Sequence, residues 1–255
     1  MTGKPGLVTY FVIALTLGLI VSIGFAQGES SMNDNHNLPE IDTREYENIE
    51  KATFALGCFW GGDARFGAVP GVIRTRVGYA GGTTENPTYR NIGDHTESIQ
   101  VFYNPEEVSF RELVEIFWAY HDPFTGSYST QYAKILFYHD NSQQKIAKAT
   151  REEIEEGSEG KVVTSIKPLD KFYVAEDYHQ KYRLKQNRTF IRDLSEYYQD
   201  PDELRDSTAA ARLNGYIAGY GTPGQVEGNI GKLGLSPKAQ NRLASKFGLD
   251  SENNS

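Results

Sequence analysis

The stretch Ala52-Thr53-Phe54-Ala55-Leu56-Gly57-Cys58-Phe59-Trp60-Gly61-Gly62 decides how the chain reads. Its first five residues are a short apolar run closed by a glycine, the pattern of a buried strand. Aromatics and then Asp63-Ala64-Arg65-Phe66 follow, which suits a helix. Cys58, the only cysteine in 255 residues, is thereby placed on a sharp strand-to-helix turn. The free N–H groups and partial positive charge of a helix start stabilise a thiolate, the reactive form of cysteine. Phe59 and Trp60 offer an apolar pocket beside it. A single cysteine also reads as a buried small hydrophobe, and on local chemistry both readings stand. One cysteine excludes an intrachain disulfide.

Outward from this turn, Val72 to Tyr79 alternates as a strand and runs into the glycine-rich Gly78-Tyr79-Ala80-Gly81-Gly82. Ser98 to Tyr103 is a second alternating strand, stopped by Asn104-Pro105. Ser109-Phe110-Arg111-Glu112 is a capping box opening a helix through Trp118 and Tyr120. Ala133 to Tyr138 is a strand, residues 142–156 an amphipathic helix, residues 161–166 a strand and residues 175–186 a helix. From Thr53 to Ile135 the order is strand, helix, strand, strand, helix, strand. That is the split βαβ order, and it predicts an α+β, ferredoxin-like two-layer sandwich. Beyond Asn187 the reading is a C-terminal extension. It has a helix over residues 201–212, a glycine-spaced coil over residues 214–221, and a last helix from Ser236-Pro237 to about Phe247.

The ends differ from the middle. Leu7 to Ala26 is a nearly uninterrupted apolar run after Lys4. It reads as a signal peptide cut ahead of Gln27, or as a membrane anchor of spanning length. Either places the rest of the chain outside the cytoplasm, secreted or membrane-anchored. The segment 28–49 is polar and acidic and reads as a flexible tether. The expected organisation is 1–27 signal or anchor, 28–49 tether, 50–187 catalytic domain and 188–255 extension. A net charge of −8 with no Lys/Arg cluster disfavours nucleic acid and anionic membrane surfaces as partners, leaving membrane contact only to the N-terminal segment.

Six motifs in order resemble the A-type peptide methionine sulfoxide reductases, the MsrA family. They are Gly57-Cys58-Phe59-Trp60-Gly61, Gly78 to Gly82, Asn86-Pro87-Thr88-Tyr89, Phe117-Trp118 with His121-Asp122-Pro123, Thr130-Gln131-Tyr132, and Ala175-Glu176-Asp177-Tyr178-His179-Gln180. The resemblance covers about residues 51–187 and implies the same ferredoxin-like fold. It also implies reduction of S-epimer methionine sulfoxide, in proteins and possibly free, with oxygen left on the cysteine as a sulfenic acid. The family needs no cofactor, and the resemblance implies none. Oxidised proteins or peptides would be the substrate, and thioredoxin or another thiol the reductant.

A sulfoxide is a poor electrophile until its oxygen is protonated, so the site needs an acid of raised pKa beside the nucleophile, whose own pKa is expected to be lowered. The resemblance makes Cys58 the nucleophile and Glu97 the acid. Alone, Glu97 reads as a solvated strand-end glutamate; burial would raise its pKa. Tyr89 and Tyr132 match the family's ligands of the sulfoxide oxygen, and Phe59 and Trp60 its S-methyl pocket. No spacing among His95, His121 and His179 fits a metal set. His121 and His179 read as structural or positioning residues, and His95 as near enough to Glu97 to tune it.

The chain departs from the family twice. The segment Phe124 to Tyr132 is short and lacks the aspartate many members carry there, leaving Ser127 or Ser129 as replacements. The C-terminal coil, expected to cover the pocket, has no resolving cysteine, so the sulfenic acid must meet an external thiol. These losses motivate an alternative, a binding module or sensor for oxidised methionine that does not turn over. A thiol peroxidase is a third reading, opposed by the aromatic methyl pocket.

Overall fold

The computed structural model describes residues 1–2 and 38–249. The apolar run at residues 7–26, with the expectation of a signal or anchor, lies outside the described residues. Among the described residues no helix is long and apolar enough to cross a membrane.

In chain order the strands are β1 (Glu50–Leu56), β2 (Val72–Ala80), β3 (Thr96–Tyr103), β4 (Lys134–Tyr138), β5 (Ser165–Pro168) and β6 (Phe172–Val174). They form one sheet in the order β5-β4-β1-β3-β2-β6. The inner four, β4-β1-β3-β2, pair antiparallel throughout, with α1 (Phe59–Gly67) linking β1 to β2 and α2 (Phe110–Ala119) linking β3 to β4. This is the α+β, ferredoxin-like arrangement expected from the element order. β5 joins parallel to β4, and β6 antiparallel to β2. β5 starts later than the expected strand, and β6 was not foreseen.

Alternation decides which side of β1 meets the helices. Phe54 turns inward and stacks on Phe66 of α1 at 4.8 Å between ring centroids and on Phe117 of α2 at 5.3 Å. The capping box of α2 forms as read: Glu112 N donates to Ser109 Oγ, and Ser109 N to Glu112 Oε2. Such a cap is worth about 1 kcal/mol. After α3 (Asn141–Glu156), Trp118 Nε1 donates to Thr150 Oγ1 at 3.0 Å and joins α2 to α3.

The expected helix over residues 175–186 is a 3-10 turn (Asp177–His179) and a one-turn helix α4 (Tyr182–Lys185). Lys181 separates them in the left-handed region, φ 52°. Its fully buried Nζ donates to Asp63 Oδ1 at 3.1 Å, to Thr75 O at 2.6 Å and to Thr75 Oγ1 at 3.0 Å. The left-handed backbone at Lys181 interrupts the helix, and the side chain there turns inward to the buried carboxylate.

The extension beyond Asn187 is helical. It contains α5 (Arg188–Leu194), α6 (Pro201–Asp206), α7 (Thr208–Ile217), α8 (Pro223–Ile230) and α9 (Pro237–Lys246) around its own core of Leu194, Leu213, Tyr216, Val226 and Leu243. The expected coil over residues 214–221 is therefore half helix. Gly215 is needed for contact with α1: a Cβ there would lie 2.5 Å from Ala64 O and 2.7 Å from Ala68 Cβ. Buried Arg212 donates to Gly67 O and to Val72 O, fastening α7 to the end of α1 and the start of β2.

The tether reading also needs correction at its C-terminal end. Glu40–Asp42 is a 3-10 turn, and Asp42 accepts from the amides of Thr208 and Ala209 at the start of α7 and from Tyr198 Oη. A carboxylate at a helix start satisfies amides that the helix itself leaves open.

Candidate active site

Gly57 turns the chain from β1 into α1 with φ 91°, a conformation glycine adopts without steric cost. Cys58 then occupies the N-cap of α1, and it is exposed. The expected turn is thus present, but the thiol does not behave as expected. Partial burial raises its pKa and the Glu97 carboxylate adds to that; the Trp60 and Gly61 amides and the Arg183 guanidinium oppose it. The helix start acts in the foreseen direction and is outweighed.

Glu97 sits near the start of β3, 1% exposed. Its Oε2 accepts from Phe59 N at 3.0 Å, and its Oε1 from Gln131 Nε2 at 2.8 Å. Glu97 N donates to Gln131 O at 2.9 Å, so one residue holds both ends of the acid. Burial raises the Glu97 pKa, and the bonds from Gln131 and Phe59 temper the rise. The carboxyl is tied to the residue that follows the cysteine, so acid and thiol are neighbours.

Phe59 is buried, with its ring 5.0 Å from that of His179. Trp60 is held twice. Its Nε1 donates to His179 Nδ1 at 3.2 Å, and its indole stacks on Tyr182 at 3.7 Å and 4°. That bond makes His179 Nδ1 an acceptor, so the proton of the neutral ring lies on Nε2, which is buried without a hydrogen-bond partner. Burial lowers the His179 pKa and keeps the ring neutral.

Tyr89 packs on His179 at 4.6 Å, and its amide donates to Glu176 Oε1 at 3.0 Å. Glu176 Oε2 accepts from Tyr79 Oη at 2.7 Å, which locks the Tyr89 segment to β2. Burial, the Glu97 charge and the Tyr89 phenol push the Tyr132 pKa up to about 12. At neutral pH Tyr132 is therefore a hydrogen-bond donor. The six sequence-predicted site residues Cys58, Phe59, Trp60, Tyr89, Glu97 and Tyr132 thus converge on one place.

The other expectations divide. His179 positions Trp60, and His121 is structural, bonded to Phe117 O and Thr164 Oγ1. His95 makes no hydrogen bond to Glu97; it accepts from Gly82 N and contacts Thr84 O. Ser127 is exposed, and Ser129 Oγ is buried without a hydrogen-bond partner. The nearest carboxylate in that loop, Asp122, accepts from Phe124 N and Thr125 Oγ1 and stays within its own turn. The C-terminal residues 215–217 lie in α7 against α1 and leave Cys58 exposed. Gln131, Glu176 and Tyr182 had no assigned role in the sequence reading, although Gln131 and Glu176 lie inside quoted motifs.

Among the described residues no group of three or more His, Cys, Asp or Glu side chains is placed to hold a metal ion. What the site can do is redox chemistry at sulfur. It pairs a cysteine with a buried acid of raised pKa, phenol donors, and an aromatic wall suited to an apolar thioether.

Comparison with known proteins agrees with that chemistry. The family model described as peptide methionine sulfoxide reductase matches residues 50–208, and the helical domain of selenoprotein methionine sulfoxide reductase A matches residues 199–241. A peptide methionine sulfoxide reductase of Drosophila melanogaster is 42% identical over 194 residues, 74% of this chain and 78% of that protein. The crystal structure of reduced Mxr1 from Saccharomyces cerevisiae is similar, with TM-score 0.52 and 32% identity over 56% of this chain and 89% of that one. Mxr1 in complex with Trx2 is also similar, at TM-score 0.42 and 30% identity over 54% of this chain and 89% of that one. The chain belongs to the peptide methionine sulfoxide reductases, and the helical region after its catalytic sandwich is part of the same family's repertoire.

Proposed function

We propose that Cys58 reduces the S epimer of methionine sulfoxide with Glu97 as the acid. Cys58 Sγ attacks the sulfoxide sulfur while Glu97 gives a proton to the oxygen. The S–O bond breaks and the oxygen passes to Sγ, leaving a sulfenic acid on Cys58 and releasing methionine. The substrate sulfur gains the two electrons that the cysteine sulfur loses. Tyr89 and Tyr132 donate to the oxygen as its charge grows, and Phe59 and Trp60 hold the methyl group. One bond carries this reading, that of Phe59 N to the buried Glu97 Oε2 at 3.0 Å. It keeps the acid beside the thiol whose ionisation its charge opposes. A proton leaving Cys58 for Glu97 removes that opposition, so thiolate and acid arise in one transfer.

The chain has one cysteine, so recycling uses an external thiol, of which thioredoxin is the proposed source. The first thiol condenses with the sulfenic acid, releasing water and leaving a mixed disulfide; the second frees Cys58 as the thiol. The test is a single turnover with reduced protein, a peptide carrying S-methionine sulfoxide, and no added thiol. One methionine per protein and a dimedone adduct on Cys58 are expected, and Cys58→Ser must abolish both. Peptide bound but unchanged would favour a binding module.

The proposed location is outside the cytoplasm, on the strength of the apolar run at residues 7–26. Fractionation of cells expressing the full chain tests it: activity confined to the cytosol would end this reading.

A further inference from the structure

Five aromatic side chains are exposed among the described residues: Tyr89, Tyr120, Phe124, Tyr128 and Tyr178. Three of them lie on one continuous arc around the site. Tyr128 packs on Tyr132 at 5.5 Å between ring centroids, and the Tyr132 phenol meets that of Tyr89. Tyr89 packs on His179 at 4.6 Å, and His179 on Tyr178 at 4.1 Å. Tyr132 and Tyr89 within the arc are the proposed oxygen ligands, whereas its two ends have no such role. Tyr128 is 87% exposed and Tyr178 56%.

Exposed rings at such a density have a cost in water and a use at an interface, where rigid aromatics supply large contact area with little conformational entropy to lose. Tyr128 stands in the loop that lacks the family's aspartate, with glycine, serine and threonine as its near neighbours. Tyr178 stands on the 3-10 turn beside the residue that holds Trp60. The contact chain runs from Tyr128 through Tyr132 and Tyr89, the two proposed oxygen ligands, to His179 and Tyr178, so both end rings adjoin side chains placed at the sulfoxide.

We propose that Tyr128 and Tyr178 bind the residues flanking an oxidised methionine and favour apolar or aromatic neighbours. The arc continues the walls of the sulfoxide site, and that continuity identifies its occupant as the substrate's own chain. This inference rests on Cys58 being the place where methionine sulfoxide binds.

The test compares N-acetyl methionine sulfoxide amide, which has no flanking residues, with two peptides differing only in leucine and phenylalanine or glycine and serine around the oxidised methionine. The full chain is expected to show the higher kcat/KM on the apolar-flanked peptide. Tyr128→Ser and Tyr178→Ser should each raise KM on that peptide about three- to tenfold, from the usual strength of an aromatic contact. Turnover of the small amide and kcat on both peptides should stay as they were. Equal loss on the amide and the peptides would overturn the proposal, as would a full chain indifferent to the flanks. Failure of the full chain to reduce the small amide would remove the catalytic reading. Titration calorimetry with the same peptides then still decides the arc. Lost discrimination in the double variant would support it, and unchanged discrimination would overturn it.

Discussion

One short helix, α1, carries a polar cluster at its start and another at its middle, and the two are built on opposite terms. At its start, Cys58 is exposed and its ionisation is opposed by the buried Glu97. His179 Nε2 beside them has no hydrogen-bond partner. One turn further, Asp63 and Lys181 are both fully buried. The Asp63 carboxylate accepts from Lys181 N, Lys181 Nζ, Thr75 Oγ1 and Asn214 Nδ2. Each donor of the Lys181 ammonium is likewise used. A saturated buried ion pair fixes geometry. An unsaturated site with opposed protonation keeps free energy available for a ligand. The contrast tells which cluster reacts and which one holds it still.

The sharpest way to break that contrast is Glu97→Gln. It preserves shape and removes the acid, so kcat should fall about 10²- to 10⁴-fold with the fold intact. The same change removes a charge that opposes thiolate formation. Alkylation of Cys58 by iodoacetamide should therefore reach half its maximal rate at a lower pH than in the unaltered protein. A midpoint that stays or rises would refute the coupling.

Asp63→Ala should act on the other cluster, and on stability rather than turnover. It leaves the Lys181 ammonium buried without its partner, at a cost of about 3–5 kcal/mol in denaturant unfolding. Stability unchanged within about 1 kcal/mol would mean that the two clusters do not differ as described.

The smallest expected effect is with pH. Burial lowers the His121 pKa, so the folded protein stays neutral there while the unfolded chain protonates near pH 6.5. The unfolded state then binds more protons, and stability falls as pH drops below about 6.5. His121→Gln should flatten the slope of unfolding free energy between pH 7 and 5.5; an identical slope would assign the acid sensitivity elsewhere.

How much of this was legible in the chain depended on range. The strand, glycine and cysteine of residues 52–58 spell their turn locally, and Ser109 to Glu112 spell their own cap. The pairing of Glu97 with Gln131 spans 34 residues, and nothing near either announces it; only the motif match put Glu97 in the site. The thiol's raised pKa was missed because the helix start is visible in sequence, whereas partial burial and a neighbouring carboxylate arise only on folding. The helix expected over residues 175–186 failed because periodicity takes no account of Lys181, whose ammonium is drawn inward by Asp63, 118 residues away. Gly215 misled in the opposite direction. Read as a breaker, it is a glycine so that α7 can touch α1.

Asp42 has a mechanical consequence. Ile41 N donates to Lys232 O, and Asp42 takes three donors at the start of α7 and a fourth from Tyr198 Oη. Tension on the chain ahead of residue 38 therefore meets the helical region before it reaches β1. The load path ends at that mooring, and the strand that carries the cysteine at its tip is spared the pull.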